Sequence, residues 1–186
     1  MTIRPLINLA LFTLTISFCN CKKKKELNIS IGDYYQGGVV VYILKENDIG
    51  YELETIHGLI VAQSDQDTVE WGCYGVEIPG ADGIKIGTGY QNTKDIVSNC
   101  STILIAAKIC DDLVLNGYSD WYLPSKDELN QLYLYRKLIG GFPQSGEHWS
   151  STESTKDFVW RRQLYYGGEN TNRKDYKNKV RAIRSF

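Results

Sequence analysis

Between Leu123 and Gly141 the sequence carries both ends of one helix, and strand-like stretches lie on either side of it. That order excludes an all-β sandwich and a helical bundle alike. Ser125 stands where an N-cap belongs, and Glu128 three residues on can return to the Ser125 amide, the reciprocal pattern of a capping box. Asp127 and Glu128 place negative charge in the first turn, against the helix dipole, and Gly140-Gly141 supplies the C-terminal stop. These signals predict a helix over 125–139. Upstream, 37–44 and 58–63 are short β-branched runs bounded by Gly and polar residues, and read as strands. Downstream, 148–153, 158–165 and 178–185 read as strands, with 167–177 as a polar loop. A second helix is expected over 93–116, broken near Cys100, because apolar residues recur there in steps of three and four from Ile103 onward. Residues 65–91, rich in Gly, Asp and single aromatics, predict a long structured loop region. Strands, then helices, then strands make the fold class α+β, with mixed, mainly antiparallel sheets, two helices and long loops.

A chain of 186 residues suits one domain, and 42% hydrophobic and 23% charged residues exclude a disordered tail, a collagen and a multi-span membrane protein. The start is different in character. Arg4 precedes an apolar run from Leu6 to Phe18, too short for a bilayer span of about 20 residues but suited to the core of an export signal. The run ends at Cys19-Asn20-Cys21, followed by Lys22 to Lys25. This resembles a bacterial lipoprotein signal, with Cys21 as the lipidated residue, although the small residues that usually precede such a cysteine are replaced by Phe18, Cys19 and Asn20. The expected division is a signal over 1–21, a basic tether over 22–31 and a domain over 32–186. The expected location is extracytoplasmic, held to the membrane by a lipid anchor in the cell envelope. No basic helix with interleaved aromatics appears, so nucleic acid is not expected as a partner. Of the domain cysteines, Cys100 and Cys110 would lie about 15 Å apart on one helix, too far to bridge, so Cys73 is half of any pair; three buried thiols are the alternative.

The usual catalytic patterns are missing. His57 and His148 have no second ligand at zinc spacing, no G-x-S-x-G elbow occurs, and Gly87-Thr88-Gly89 lacks the third glycine of a dinucleotide loop. Asp65, Asp67 and Glu70 fail the spacing of an EF-hand, where Glu70 stands in place of the glycine. Neither metal nor cofactor is expected, and no residue is assigned a catalytic role.

Other residues converge on a family. Gly32-Asp33, Gly37-Gly38-Val39-Val40, His57-Gly58-Leu59-Ile60, Trp71-Gly72 and Ala106-Ala107 lead to Asp120-Trp121-Tyr122-Leu123-Pro124-Ser125, then Trp149-Ser150-Ser151-Thr152-Glu153 and Val180-Arg181-Ala182-Ile183-Arg184. In this order they resemble the domain at the C-terminus of the Legionella collagen-like adhesin, over about 32–186. The resemblance implies a C-type-lectin-like fold, in which N- and C-terminal strands pair and loops on one side carry ligand contacts. It assigns structural duties to Asp120, Trp121, Pro124, Ser125, Glu128, Trp149, Ser150, Ser151, Glu153, Arg181 and Arg184. By resemblance, too, it implies adhesion to sulfated glycans; the adhesin's collagen-like repeats are absent, so its trimerisation is not implied. The Leu123-Pro124-Ser125 helix start is also similar to that of formylglycine-generating enzymes, but their C-terminal pair of reactive cysteines is missing, since no cysteine follows Cys110.

Charge divides along the chain. Residues 156–186 hold nine basic against three acidic residues, a net +6, whereas 26–155 carry −12. The basic end could meet an anionic polysaccharide. Strand alternation limits that reading: Arg161 and Arg162 cannot share a face, and one of Arg181 and Arg184 must turn inward to a carboxylate such as Asp120 or Glu153. The segment 165–177, rich in Tyr, Gly and Asn, has the composition of a binding loop. Tyr165, Tyr166, Asn170, Asn172, Arg173, Lys174 and Lys177 are its candidate ligand contacts. Trp71, Trp121, Trp149 and Trp160 read as core. The expected function is non-catalytic binding of a polysaccharide, with an assembly role toward another envelope protein as the alternative.

Overall fold

The computed structural model describes residues 28–186. The export signal, Cys21 and most of the basic tether lie outside the described residues. Among the described residues, two antiparallel-dominated sheets and four short helices make the architecture α+β. The first sheet holds β1 (Tyr34–Tyr35), β2 (Gly38–Ile43), β3 (Gly58–Val61) and β9 (Ile183–Ser185), in that spatial order. The second holds β4 (Asp67–Glu70), β8 (Lys177–Val180), β5 (His148–Glu153), β6 (Phe158–Arg162) and β7 (Glu169–Arg173). Within it β5 and β8 run parallel, joined at His148 and Lys179.

The expected single strand over 178–185 is two strands, because the chain changes sheets at Arg181-Ala182. β9 pairs antiparallel with β3, matching Leu59 with Ser185 and Val61 with Ile183, so the end of the chain closes the first sheet. The polar loop expected over 167–177 is mostly strand: β7 pairs with β6 along its whole length, Phe158 opposite Arg173 and Arg162 opposite Glu169. Asn170, Thr171 and Asn172 give that strand no apolar alternation, because as an edge strand it meets a neighbour on one side only.

The helix expected over 93–116 is broken at Cys100 as predicted, and the helix expected over 125–139 is also broken, at Tyr135. α1 (Gly89–Asn99) starts earlier than predicted and ends at Cys100, whose extended backbone carries it to a disulfide with Cys73, Cα atoms 5.8 Å apart. α2 (Ala106–Asp111) follows after a loop, with Cys110 buried as a free thiol. α3 (Lys126–Leu134) begins with the predicted capping box: the Glu128 amide donates to the Ser125 side chain and the Ser125 amide donates to Glu128 Oε2 at 2.7 Å. Tyr135, with φ −101° and ψ 14°, interrupts the helix before α4 (Arg136–Ile139), which stops at Gly140 with φ +71°.

The core lies on both faces of the first sheet. Alternate residues of β2 and β3 divide between two clusters: Val40 and Ile60 join Trp71, Trp121 and Trp149, while Val39, Val41, Leu59 and Val61 join Leu129, Leu132 and Ile183. Three of the four tryptophans are thereby withdrawn from any surface, and their ring N–H groups are matched to carbonyls of Ser150, Tyr118 and Val69.

Candidate functional site

The residues singled out by the adhesin-like motifs form the frame on which the C-terminal strands rest. Ser151 donates its amide to the Pro124 carbonyl at 2.7 Å, and Ser150 Oγ donates to Trp160 O at 2.8 Å, so β5 is fixed to the start of α3 and to β6. Glu128 is wholly buried and accepts from the amides of Ser125 and Gly87. Burial pushes its carboxyl up to about 7, against those amides, which pull it down.

The two arginines of opposite parity are both buried. Arg184 forks onto Asp120, each nitrogen 2.7 Å from a carboxylate oxygen. Arg181 turns to Asp65 instead, donating at 2.7 Å, and also donates to the carbonyls of Ala62 and Gly141. Asp65 further meets His148 Nε2 at 2.9 Å. Burial pushes Asp65 up, but the His148 hydrogen bond and the Arg181 charge outweigh it and hold the carboxyl below its ordinary value. The composition of 65–91 gave no hint that Asp65 is this partner, because a residue's role in a pair 116 positions distant has no local signature.

The basic end is neutralised internally. Arg161 pairs with Glu147, Arg162 with Glu169, Arg173 with Asp175, Lys174 with Glu153 and Lys179 with Asp65, beside the two pairs above. Among the described residues, only Lys156 and Lys177 of the nine form no ion pair. The basic surface that strand alternation had already limited is thereby reduced to isolated lysines.

Lys174, expected as a surface contact, is corrected as well. It has no exposed side chain, and its ammonium donates to Val76 O at 2.6 Å while lying 3.2 Å from Glu153 Oε2. Its neighbours are distributed along β7 and both its ends. Tyr165 and Tyr166 lie in the β6–β7 turn, 41% and 70% exposed, with ring centres 4.8 Å apart. Asn170 and Asn172 spend their side-chain oxygens on the amides of Thr171 and Arg173. Arg173 and exposed Lys177 lie at the opposite end of the strand. With Lys174 buried, the other six candidates are spread along β7 and its two ends rather than gathered in one loop.

At the Tyr165 end there is a cavity of about 350 Å³, lined by Arg136, Lys137, Gly141, Phe142, Leu164 and Tyr165. Its walls are fixed. Arg136 donates to the carbonyls of Tyr165 and Tyr133 and stacks on the Tyr133 ring at 4.3 Å, tying α4 to the turn. Phe142 is held between the Arg181 guanidinium, 4.3 Å from its ring centre, and the edge-on ring of His148. Gly167 lets the turn approach α3: its φ is +93°, and a Cβ there would fall 2.3 Å from the Tyr133 ring. Exposed Lys137 stands at the rim. Arg136, Lys137 and Phe142 come from the α4 region, where sequence showed only a helix end.

Comparison with known proteins adds a fold and little more. No family model and no curated protein matches this chain. Among solved structures it is similar to the crystal structure of a fimbrial protein from Bacteroides ovatus, at 16% sequence identity and a TM-score of 0.57, over 83% of this chain. The likeness covers 48% of the fimbrial protein, so this chain spans about half its length. At that identity the shared property is the fold.

Proposed function

We propose that this chain is an extracytoplasmic, lipid-anchored module of C-type-lectin-like fold, related to the adhesin C-terminal domain, that binds a polysaccharide without catalysis. The observation that carries the reading is the Tyr165 cavity, a concave apolar wall with a cation at its rim and exposed tyrosines beside it, which suits a sugar ring with polar substituents. Closure of the first sheet by the last strand supports the fold assignment. The fimbrial neighbour accords with a surface or adhesive role. Against thiol chemistry of the formylglycine-generating kind, the free thiol among the described residues, Cys110, is fully buried, and burial pushes it well above the ordinary thiol range.

Retention of the full chain on immobilised polysaccharides tests the site. Tyr165→Ala with Tyr166→Ala should reduce retention while leaving the unfolding midpoint within a few degrees of wild type; undiminished retention would remove the cavity from the reading. An assembly role toward another envelope protein has one observation in its favour: Ile103, Leu104 and Val114 are 81%, 72% and 74% exposed around a groove beside α2.

A further inference from the structure

The far end of β7 holds a second group of exposed rings, drawn from three separate segments. The guanidinium carbon of Arg173 lies 4.6 Å from the ring centre of Tyr74 and 5.4 Å from that of Tyr176. Its Nε and Nη2 donate to both oxygens of Asp175, at 3.0 and 2.6 Å. Phe158 is the cross-strand partner of Arg173, so the two project from one face of the sheet. The rings of Tyr74, Phe158 and Tyr176 are 45%, 41% and 52% exposed.

These rings do not stand on mobile ends, because one buried residue joins the segments that carry them. The Lys174 amide donates to Asp157 O at 3.0 Å, in the β5–β6 turn that leads into Phe158. Its carbonyl accepts from the amides of Trp71 and Gly72, at 3.0 and 3.2 Å, just before Tyr74. Its ammonium reaches Val76 O, just after Tyr74, and rests 4.7 Å from the Trp71 ring centre. Gly75 adds a hydrogen bond to Lys156 O at 3.1 Å, and the Cys73–Cys100 disulfide fixes the residue preceding Tyr74. Arg173 and Asp175 flank Lys174 in the chain, and Tyr176 follows. A buried lysine paired with Glu153 is costly, and here it holds a surface of aromatic rings in one arrangement, which lowers the ordering cost of binding.

The chemistry of that surface is specific. Arg173 and Asp175 cancel each other's charge, leaving apolar ring faces around a central cluster of donors and acceptors. A pyranose unit is the complement, with C–H faces to lie on the rings and hydroxyls to bridge guanidinium and carboxylate. A sulfate placed at the centre of the cluster would meet Asp175, and the guanidinium there is already paired with that carboxylate. We propose that Tyr74, Phe158, Arg173, Asp175 and Tyr176 form a binding site for uncharged pyranose units of a glycan, pre-shaped by Lys174. The proposal rests on the polysaccharide reading above but stands on different residues.

The test is calorimetric titration of the full chain with unbranched neutral glucans and mannans, and with heparin, at low and high salt. A neutral oligosaccharide should bind with an affinity that salt leaves unchanged. Tyr74→Ala and Tyr176→Ala should each weaken it by about threefold or more, whereas Tyr74→Phe should retain it. Unchanged unfolding midpoints establish that the variants fold. Undiminished neutral-glycan binding in the Tyr74→Ala, Tyr176→Ala double variant would overturn the site; if Tyr165→Ala with Tyr166→Ala abolished that binding, the cavity reading would survive. Heparin binding alone, lost at high salt, would overturn the proposed ligand class. Binding of no glycan would overturn this site and the polysaccharide reading together.

Discussion

Arg181 and Arg184 stand three positions apart, yet each is buried and matched to a carboxylate from a distant segment. Replacing Arg181 by Ala removes a partner from Asp65 and leaves the carbonyls of Ala62 and Gly141 without their donor. The expected cost is about 3–5 kcal/mol, read from chemical denaturation; a loss below about 1 kcal/mol, the scale of a surface pair, would show that the Asp65 cluster is not a structural anchor. Strand parity made an inward-turned arginine legible in the sequence, and Asp120 was legible as a partner. Asp65 was not, because nothing local marks a carboxylate that will be reached by folding. Glu128 gives a second residue-scale expectation. Its carboxyl, raised by burial from 4.5 to about 7, binds a proton more readily when folded than when unfolded. Its contribution to stability is therefore full below pH 4.5 and declines as pH rises through about 7. The advantage of wild type over Glu128→Gln should shrink between these values by an amount on the order of 1–3 kcal/mol. An advantage that instead grew with pH would show the buried carboxylate to be favoured by its amides.

Among the elements, the β6–β7 hairpin positions both ring-bearing surfaces. Its turn meets α3 at Gly167, where any side chain would collide with Tyr133 and the backbone is left-handed. Gly167→Ala should destabilise by about 1–3 kcal/mol and increase amide exchange at Tyr165 and Tyr166 before it does so in β5. Unchanged exchange in the turn would mean that α3 does not hold it. The elements most legible in sequence were those with local punctuation: the Ser125–Glu128 cap, the β-branched run of β2, and β5 in full. β7 was not legible, since Glu169–Arg173 has turn composition and is a strand because β6 offers it an edge. The helix break at Cys100 was legible, and the break at Tyr135 was not. Of the two proposed binding surfaces, Tyr165 and Tyr176 lay in the segment marked by composition. Tyr74 and Phe142 entered from segments that only the fold brings near.

Across the whole molecule, the strong division of charge along the chain does not become a division of the surface. Seven of the nine cations of the basic last segment meet a carboxylate, from Glu147–Arg161 to Asp120–Arg184, with Asp65 shared by Lys179 and Arg181. Exposed rings stand at both ends of β7, beside Lys137 at one and Lys177 at the other, and the proposed recognition rests on the rings more than on charge. The α+β architecture was legible from element order, because strands on both sides of the helices permit sheets that the chain end can close. The crossing between the two sheets at Arg181-Ala182 was not, since a continuous apolar-polar run looks the same whichever sheet it joins. The most direct measurement is a broad glycan array probed with the full chain at near-physiological salt. The account predicts binding to a defined set of polysaccharides that is reduced by Tyr165→Ala with Tyr166→Ala and only weakly affected by Lys156→Ala with Lys177→Ala. A blank array from folded protein, or binding that vanishes with the two lysines alone, would contradict it.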